Sequence, residues 1–406
     1  MATFKTISSA DIKTTRSTLN QLIDFVEEDM SGSDTRKKFQ VFVTGTSSPV
    51  SSITSSIYQT VFDQDHTLQT SNELFDLTFG MFKSSDSVVS CSSGTDINGK
   101  MLFPSESLMM REKVSIYNQF AQELLGDKSE QFSSPFGSAT TANKIDNALF
   151  LNMKRLFVRD GIKRETFAMR TFRSASSATT AEDAAVSATA GQTNLDRSTV
   201  SGSIILTDVG AASSIERSNF GGDVGNIVNS SNTSENLGLI FYQKGIVILD
   251  IDKIYSGSQV MSGTIDSVGN GTSTSKINSS KQTLVPDFLV SGSVDNIIDH
   301  FASVRFGKGS QTFLTFQNNT LINSTLVFCR ATADEFNFSS NPTYIDSEGR
   351  IVCIDENSQG IQKSFSFVTT VGLYDANEQL LAVAKLSRPV EKNDEKDLTF
   401  RVRLDF

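Results

Sequence analysis

From Asp397 to its end at Phe406 the chain reads DLTFRVRLDF. Leu398, Phe400, Val402, Leu404 and Phe406 fall on one face of an extended strand, and Thr399, Arg401, Arg403 and Asp405 on the other. An unbroken period of two specifies strand, not helix. The pattern runs to the final residue, so the expectation is a terminus tied into a sheet. A strand needs neighbours, and the preceding sequence offers them at Phe313–Phe316, Ser324–Arg330, Arg350–Ile354, Phe365–Tyr374 and Leu380–Leu386. Asp375-Ala376-Asn377-Glu378 reads as the short loop of a hairpin, and Pro389 as the end of its second arm.

Upstream the pattern is mixed. Ile12, Leu19, Leu22, Ile23 and Val26 follow helical spacing, with Ser8 or Ser9 as a cap and Gly32 as a stop, so an amphipathic helix is expected near the start. A strand is expected at Phe39–Val43. Apolar anchors follow at Ile57, Val61 and Phe62, then at Leu74, Phe75, Leu77 and Phe79, with a loop at 83–104. A second helix is expected behind Ser105, with Ile116, Tyr117, Phe120 and Leu124 on one side and Gly126 beyond its end. The apolar run 144–158 is ambiguous between helix and strand, and is read as a helix–strand junction near Asn147. Residues 174–194 are low in complexity and read as a linker. Ser201–Leu206 reads as a strand, Leu237–Tyr242 and Ile246–Ile251 as a hairpin about Lys244-Gly245, and 256–283 as a long loop. The fold class is α+β, mainly β, in three regions. These are a mixed helix–strand domain over 1–173, a central β region with long loops over 174–284, and a C-terminal antiparallel, sandwich-like β domain over 285–406.

The net charge of −10 argues against nucleic acid and anionic membrane as partners. No apolar run has the length of a signal peptide or a membrane span. The three cysteines, Cys91, Cys329 and Cys353, are too few for a disulfide framework; Cys329 and Cys353 read as small apolar strand residues, with a bridge between them as the alternative.

Chemistry-bearing patterns are sparse. His66 and His300 are the only histidines, and neither has a cysteine nearby in sequence, which argues against a zinc site. His66 reads as part of a polar loop, His300 as a surface or boundary residue. No G-x-S-x-G elbow occurs, and Phe306-Gly307-Lys308-Gly309-Ser310 lacks phosphate-loop spacing and reads as a turn before the next strand. Carboxylates pair at Asp250/Asp252, Asp334/Glu335 and Asp355/Glu356; the first pair would share a strand face, as glycosidic chemistry could use. The chain has no Trp on which sugars could stack. The expectation is no enzyme, no cofactor and no metal.

Three C-terminal segments carry a resemblance: LINSTLVFCRATADEFNFSSNPTYID, FVTTVGLYDANEQLLAVAKLSRPV and LTFRVRLDF. Together with residues 57–80 and 237–250, they resemble virion structural proteins of large contractile-tailed bacteriophages, including cyanophages. The resemblance implies a structural tail component, at the baseplate, made in the host cytoplasm and carried in the virion. Its implied partners are other tail and baseplate proteins in a homo- or hetero-oligomer. A neck, tube-end or capsid-associated role is the alternative, and a receptor-binding or glycan-cleaving tail module a further one. The matching motifs carry no catalytic residues. Candidate contact residues are Leu19, Leu22, Ile23 and Val26 on the N-terminal stripe, Phe336 and Phe338 in the EFNFSSNPTY turn, and Arg401 and Arg403 on the polar face of the last strand. The stripe could instead pack on its own domain, and the turn could cover its own core.

Overall fold

Residues 147–153, NALFLNM, are apolar at nearly every position, and they form a strand buried on both faces. That explains why the run gives no clean period: a strand covered on both sides has no polar face to alternate with. The strand starts at Asn147; a 3-10 turn, Thr141–Asn143, precedes it and a single helical turn follows it.

The structure is a computed structural model that describes residues 4–32, 34–44, 53–83, 97, 108–175, 200–213, 216–255, 258–259, 282–283, 289–307, 309–356 and 362–406. The expected linker over 174–194, the loops over 83–104 and 256–283, Ser105 and Cys91 lie wholly or mostly outside the described residues. The first strands are β1 (Ile12–Val26), β2 (Arg36–Thr44), β3 (Ile53–Phe62), β4 (Glu73–Met81), β5 (Asn147–Met153), β6 (Gly161–Ile162), β7 (Ala168–Ala175), β8 (Val200–Thr207), β9 (Glu216–Ser218) and β10 (Gly222–Asn229). There follow β11 (Asn232–Phe241), β12 (Ile246–Asp250), β13 (Ser258–Gln259), β14 (Gln282–Thr283), β15 (Thr312–Ala331), β16 (Ile354–Glu356), β17 (Gln362–Ser364), β18 (Ser366–Tyr374), β19 (Leu380–Lys392) and β20 (Leu398–Asp405). Among the described residues the α-helices of four or more residues are α1 (Glu27–Ser31), α2 (Leu108–Leu124), α3 (Arg155–Val158), α4 (Ile251–Ile254) and α5 (Val294–His300). The protein is mainly β, built on antiparallel pairing. Its contacts divide it into two compact units, Asn20–Thr320, and Met1–Leu19 with Leu321–Phe406.

In the larger unit the strand order is β7-β8-β10-β11-β12-β5-β4-β3-β2, drawing on residues from both sides of position 174. Cross-strand partners share a face. Thr78 opposite Phe150 and Gly80 opposite Ala148 lie on one face; Leu77 opposite Leu151 and Phe79 opposite Leu149 lie on the other. On the first face Phe120 of α2 stacks on Phe150 with ring centroids 4.2 Å apart. Tyr117 donates its hydroxyl hydrogen to the Ile145 carbonyl at 2.8 Å and accepts from the Phe132 amide at 3.0 Å. On the second face Phe75 meets Phe25 and Phe313. The expected hairpin pairs β11 with β12 around Gly245, and Gly126 takes the left-handed backbone just past α2.

The N-terminal segment corrects the expected helix. Ser8 caps only a 3-10 turn, Ser9–Asp11, and residues 12–26 form β1. Leu19, Leu22, Ile23 and Val26 fit helical spacing, but Ile12, Thr14, Thr15 and Thr18 are β-branched and β15 supplies a neighbour. Pairing with a strand far away in sequence outweighs the local period.

His300 is also corrected. It is fully buried, not a boundary residue, and desolvation and the adjacent Arg305 charge hold its pKa well below the usual value. A π-helical turn, Phe301–Arg305, continues α5 and brings the Arg305 Nε to 3.3 Å from the His300 Nε2. The Arg305 guanidinium also donates to the Arg173 carbonyl at 2.6 Å and lies over the Tyr255 ring.

Ions fasten α5 to the sheet. Arg36 donates to Asp299 at 2.7 Å and to Gln59 at 2.9 Å, Lys38 donates to Asp299 at 2.6 Å, and the Ser56 amide donates to Asp295 at 2.8 Å. Burial raises the Asp299 proton affinity, but the Arg36 and Lys38 charges and the Gln59 hydrogen bond outweigh it and hold the carboxyl below its ordinary value.

In the smaller unit β15 pairs with β1 and, antiparallel, with β20. Phe313–Phe316 and Ser324–Arg330 are parts of the one long strand β15. The inner face places Val327 opposite Val402, Cys329 opposite Phe400 and Thr325 opposite Leu404. Val327 and Val402 close a small core with Leu373 of the β18–β19 hairpin, so the unit has two layers. Cys329 and Cys353 are both free. Ile351 makes only an isolated bridge to Ile345, and the strand expected from Arg350 starts at Ile354. Pro389 does not end the hairpin's second arm. Val368 pairs with Val390 and Thr370 with Lys385, so Leu386–Pro389 bulge opposite Thr369. A proline needs no amide partner in a bulge, and the strand resumes.

Two predictions follow from this packing. A Cβ added at Gly80 would lie 2.9 Å from the Tyr117 amide nitrogen of α2, with backbone on that side unable to give way. Gly80→Ala should lower stability by about 1–3 kcal/mol in denaturant melts. The depressed Asp299 pKa contributes stability that is complete above the unfolded carboxyl value and is lost as pH falls through the folded one. Arg36→Met should lower stability by about 1–3 kcal/mol at neutral pH and shrink that acid limb in a stability–pH profile, with Lys38 and Gln59 still holding Asp299.

Candidate functional site

The strand that opens the sequence argument has a covered face and an open one. Across β20 and β15 the open face pairs Thr399 with Arg330, Arg401 with Phe328, Arg403 with Leu326 and Asp405 with Ser324. Arg401 and Arg403 are exposed, and Phe328 and Leu326 are half-buried between them and the rest of the strand. Arg330 reaches Asp11 at 2.7 Å. Arg403 donates from Nε to Asp405 at 2.8 Å and from Nη2 to the Ser324 hydroxyl at 3.2 Å. The Ser324 hydrogen bond, then Arg403, holds the Asp405 carboxyl below its ordinary value. Arg401 has no ion-pair partner among the described residues. Alternate strand residues stand ~7 Å apart, so the two guanidinium forks are spaced to meet carboxylates on every second residue of an extended segment.

The EFNFSSNPTY turn belongs to the same unit. Phe336 takes a left-handed backbone, φ 53°. Phe336 and Phe338 are each 40 % exposed. Phe338 sets its ring edge against buried Tyr344, whose hydroxyl donates to the Asn337 carbonyl at 2.8 Å. The turn is held from the end of β19. The buried Lys392 ammonium donates to the Ala333 carbonyl at 3.1 Å, the Asn337 side-chain oxygen at 2.7 Å and the Asn393 carbonyl at 2.7 Å. Sequence reasoning missed Lys392, and no local signal marks it, because two of its acceptors lie 55 and 59 residues away.

Arg401 and Arg403 therefore share one face, and Phe336 and Phe338 share one turn. The N-terminal residues divide. Leu19 and Leu22 are each 59 % exposed, Ile23 packs on the core of the larger unit, and Val26 is half-buried. Two of the three carboxylate pairs are engaged elsewhere, and the side chains of Asp355 and Glu356 lie outside what the structure describes. Asp250 and Asp252 do not share a strand face: Asp250 ends β12 and caps α4, accepting from the Lys253 amide at 3.3 Å, and Asp252 lies within that helix and accepts from Asn147 at 3.0 Å. Burial pushes Asp250 up to about 6 against the pull of Lys253. Asp334 accepts from Thr332 at 2.7 Å, and Glu335 pairs with Lys5. The His66 Nδ1 lies 2.6 Å from the Asp34 carbonyl oxygen. Among the described residues no three His, Cys, Asp or Glu side chains converge as a metal ion requires, and no helix is long and apolar enough to cross a membrane.

No family model matches the chain, and neither a curated protein nor a solved structure matches it.

Lys392→Met should leave the Asn337 side-chain oxygen without its donor, while the Ala333 carbonyl keeps the Asn337 Nδ2 at 2.6 Å, and lower stability by about 1–3 kcal/mol. Limited proteolysis should then cut within 333–344 before it cuts elsewhere in the unit.

Proposed function

We propose that this chain is a structural virion protein of a contractile bacteriophage tail, a baseplate component that works through protein–protein contacts and not through turnover. The observation that supports this reading is β1. Its first eleven residues, 12–22, are all exposed, including Ile12, Leu19 and Leu22. Ordering a strand costs about 1–2 kcal/mol per residue in backbone entropy, and burial of side chains normally offsets it. Here the described residues offer β1 almost no side-chain burial over 12–22, and a neighbouring subunit would supply it. The arginine-bearing face of β15–β20 adds a surface on which apolar Phe328 and Leu326 lie beside cations, a mixture suited to a protein partner. The resemblance of the C-terminal segments supports this choice of assembly, and the engagement of Asp250 in a helix cap and of Glu335 in an ion pair with Lys5 suits a structural role.

The test is a cryo-EM map of particles carrying wild-type or Arg401→Glu/Arg403→Glu protein. The wild type should sit in the baseplate with the β20 face against a neighbour. The double variant should lose no more than about 1 kcal/mol, the scale of the exposed Arg403–Asp405 pair, yet be missing from particles. A distal, exposed position in the map, or a double variant incorporated at full copy number, would sink the reading.

A further inference from the structure

Two tight turns of the larger unit face each other. The first follows β5: the single turn α3, then Arg159, Asp160 and Gly161 leading into β6. The second, Tyr242–Gly245, joins β11 to β12. They are locked together through the backbone. The Met153 amide donates to the Gly245 carbonyl at 3.0 Å, and the Ile162 amide to the Tyr242 carbonyl at 2.8 Å. Gly245 has φ 70°, and a Cβ there would come within 2.6 Å of Val158, so the two turns close to a distance no other residue allows.

Between them lies an open notch of about 280 Å³, with Met153 and Val158 in its floor and Arg155, Arg159, Asp160 and Lys244 at its rim. Three cations to one acid is an unusual balance on a chain of net charge −10. The cations are also weakly neutralised. Arg155 is 4.0 Å from Asp160, Lys244 is 3.4 Å from Glu123, and Arg159 has no acidic partner among the described residues. Arg159 is strained as well, at φ 60°, ψ −115°, a conformation that costs a non-glycine residue about 1–3 kcal/mol. The strain is held in place by the Arg159 amide on the Arg155 carbonyl at 2.8 Å and the Asp160 amide on the Asn319 carbonyl at 3.0 Å. A turn needing only this backbone would carry glycine or asparagine. The side chain is what the strained position retains.

We infer that this notch is an oxyanion site, taking a carboxylate or phosphate group between Arg155, Arg159 and Lys244. Guanidinium forks suit both anions, and the locked turns fix the backbone from which the three cations project. The inference does not depend on the assembly reading.

The test uses the full chain and measures the rise in melting temperature with inorganic phosphate and with glutarate, each against sodium chloride of equal ionic strength. One of the two should stabilise the protein beyond the chloride control, and the tighter one identifies a phosphate ester or an acidic side chain as the source. Arg159→Gly should melt higher than wild type because the strain is relieved, yet weaken anion binding about tenfold or more. Lys244→Gln should weaken it with no change in basal melting temperature. Equal effects of both anions and chloride, or undiminished binding by Arg159→Gly, would overturn the assignment.

Discussion

Burial of both faces of β4, β5, β12 and the Leu237–Phe241 end of β11 is the constraint on which the larger unit rests. Every backbone amide and carbonyl in these strands must be paired laterally, because neither face offers water. The antiparallel registers of β4 with β5, β5 with β12 and β12 with β11 supply that pairing without a break. Phenylalanine does most of the filling. Phe120 on Phe150, Phe132 on Phe241, and Phe25 between Phe75 and Phe316 form edge-to-face, tilted and stacked contacts over a continuous core. A chain without tryptophan and with thirty phenylalanines packs this way because phenyl rings fill volume without needing a polar partner.

Charge is used inside this frame in two ways. Asp299, Arg36 and Lys38 form a network in which each carboxylate oxygen has a donor, and it fixes α5 at one position on the sheet. Lys392 achieves a similar result without a carboxylate, satisfied by carbonyl and amide oxygens alone. Buried ions of this kind contribute little net stability compared with apolar replacements. What they confer is placement: an ammonium with three acceptors tolerates one geometry of the 333–337 turn.

Much of this architecture was legible from residue order, where one face is wet and the other dry. β20 was readable because Leu398 to Phe406 alternates without a break, and the β11–β12 hairpin because Lys244-Gly245 punctuates two apolar runs. α2 was readable from its stripe and Gly126. β1 was not, since its exposed face carries no period and the four apolar residues at 19, 22, 23 and 26 fit a helix by coincidence; the deciding partner, β15, lies some three hundred residues on. His300 was misplaced because its burial depends on Arg305 and the π-helical turn that no residue pattern announces. Of the candidate surface, Arg401 and Arg403 were visible as a pair on one strand face. Phe328 and Leu326 beside them were not, because they lie on another strand, β15, whose register against β20 only the fold defines.

The bulge at Leu386–Pro389 has a consequence for crowding. A two-stranded hairpin with open edges is a template on which identical copies can stack. Here a residue without an amide hydrogen interrupts β19, and the pairing on either side of it is out of step. A second copy laid along that edge finds its ladder broken midway, so fibre growth stalls at the first added strand.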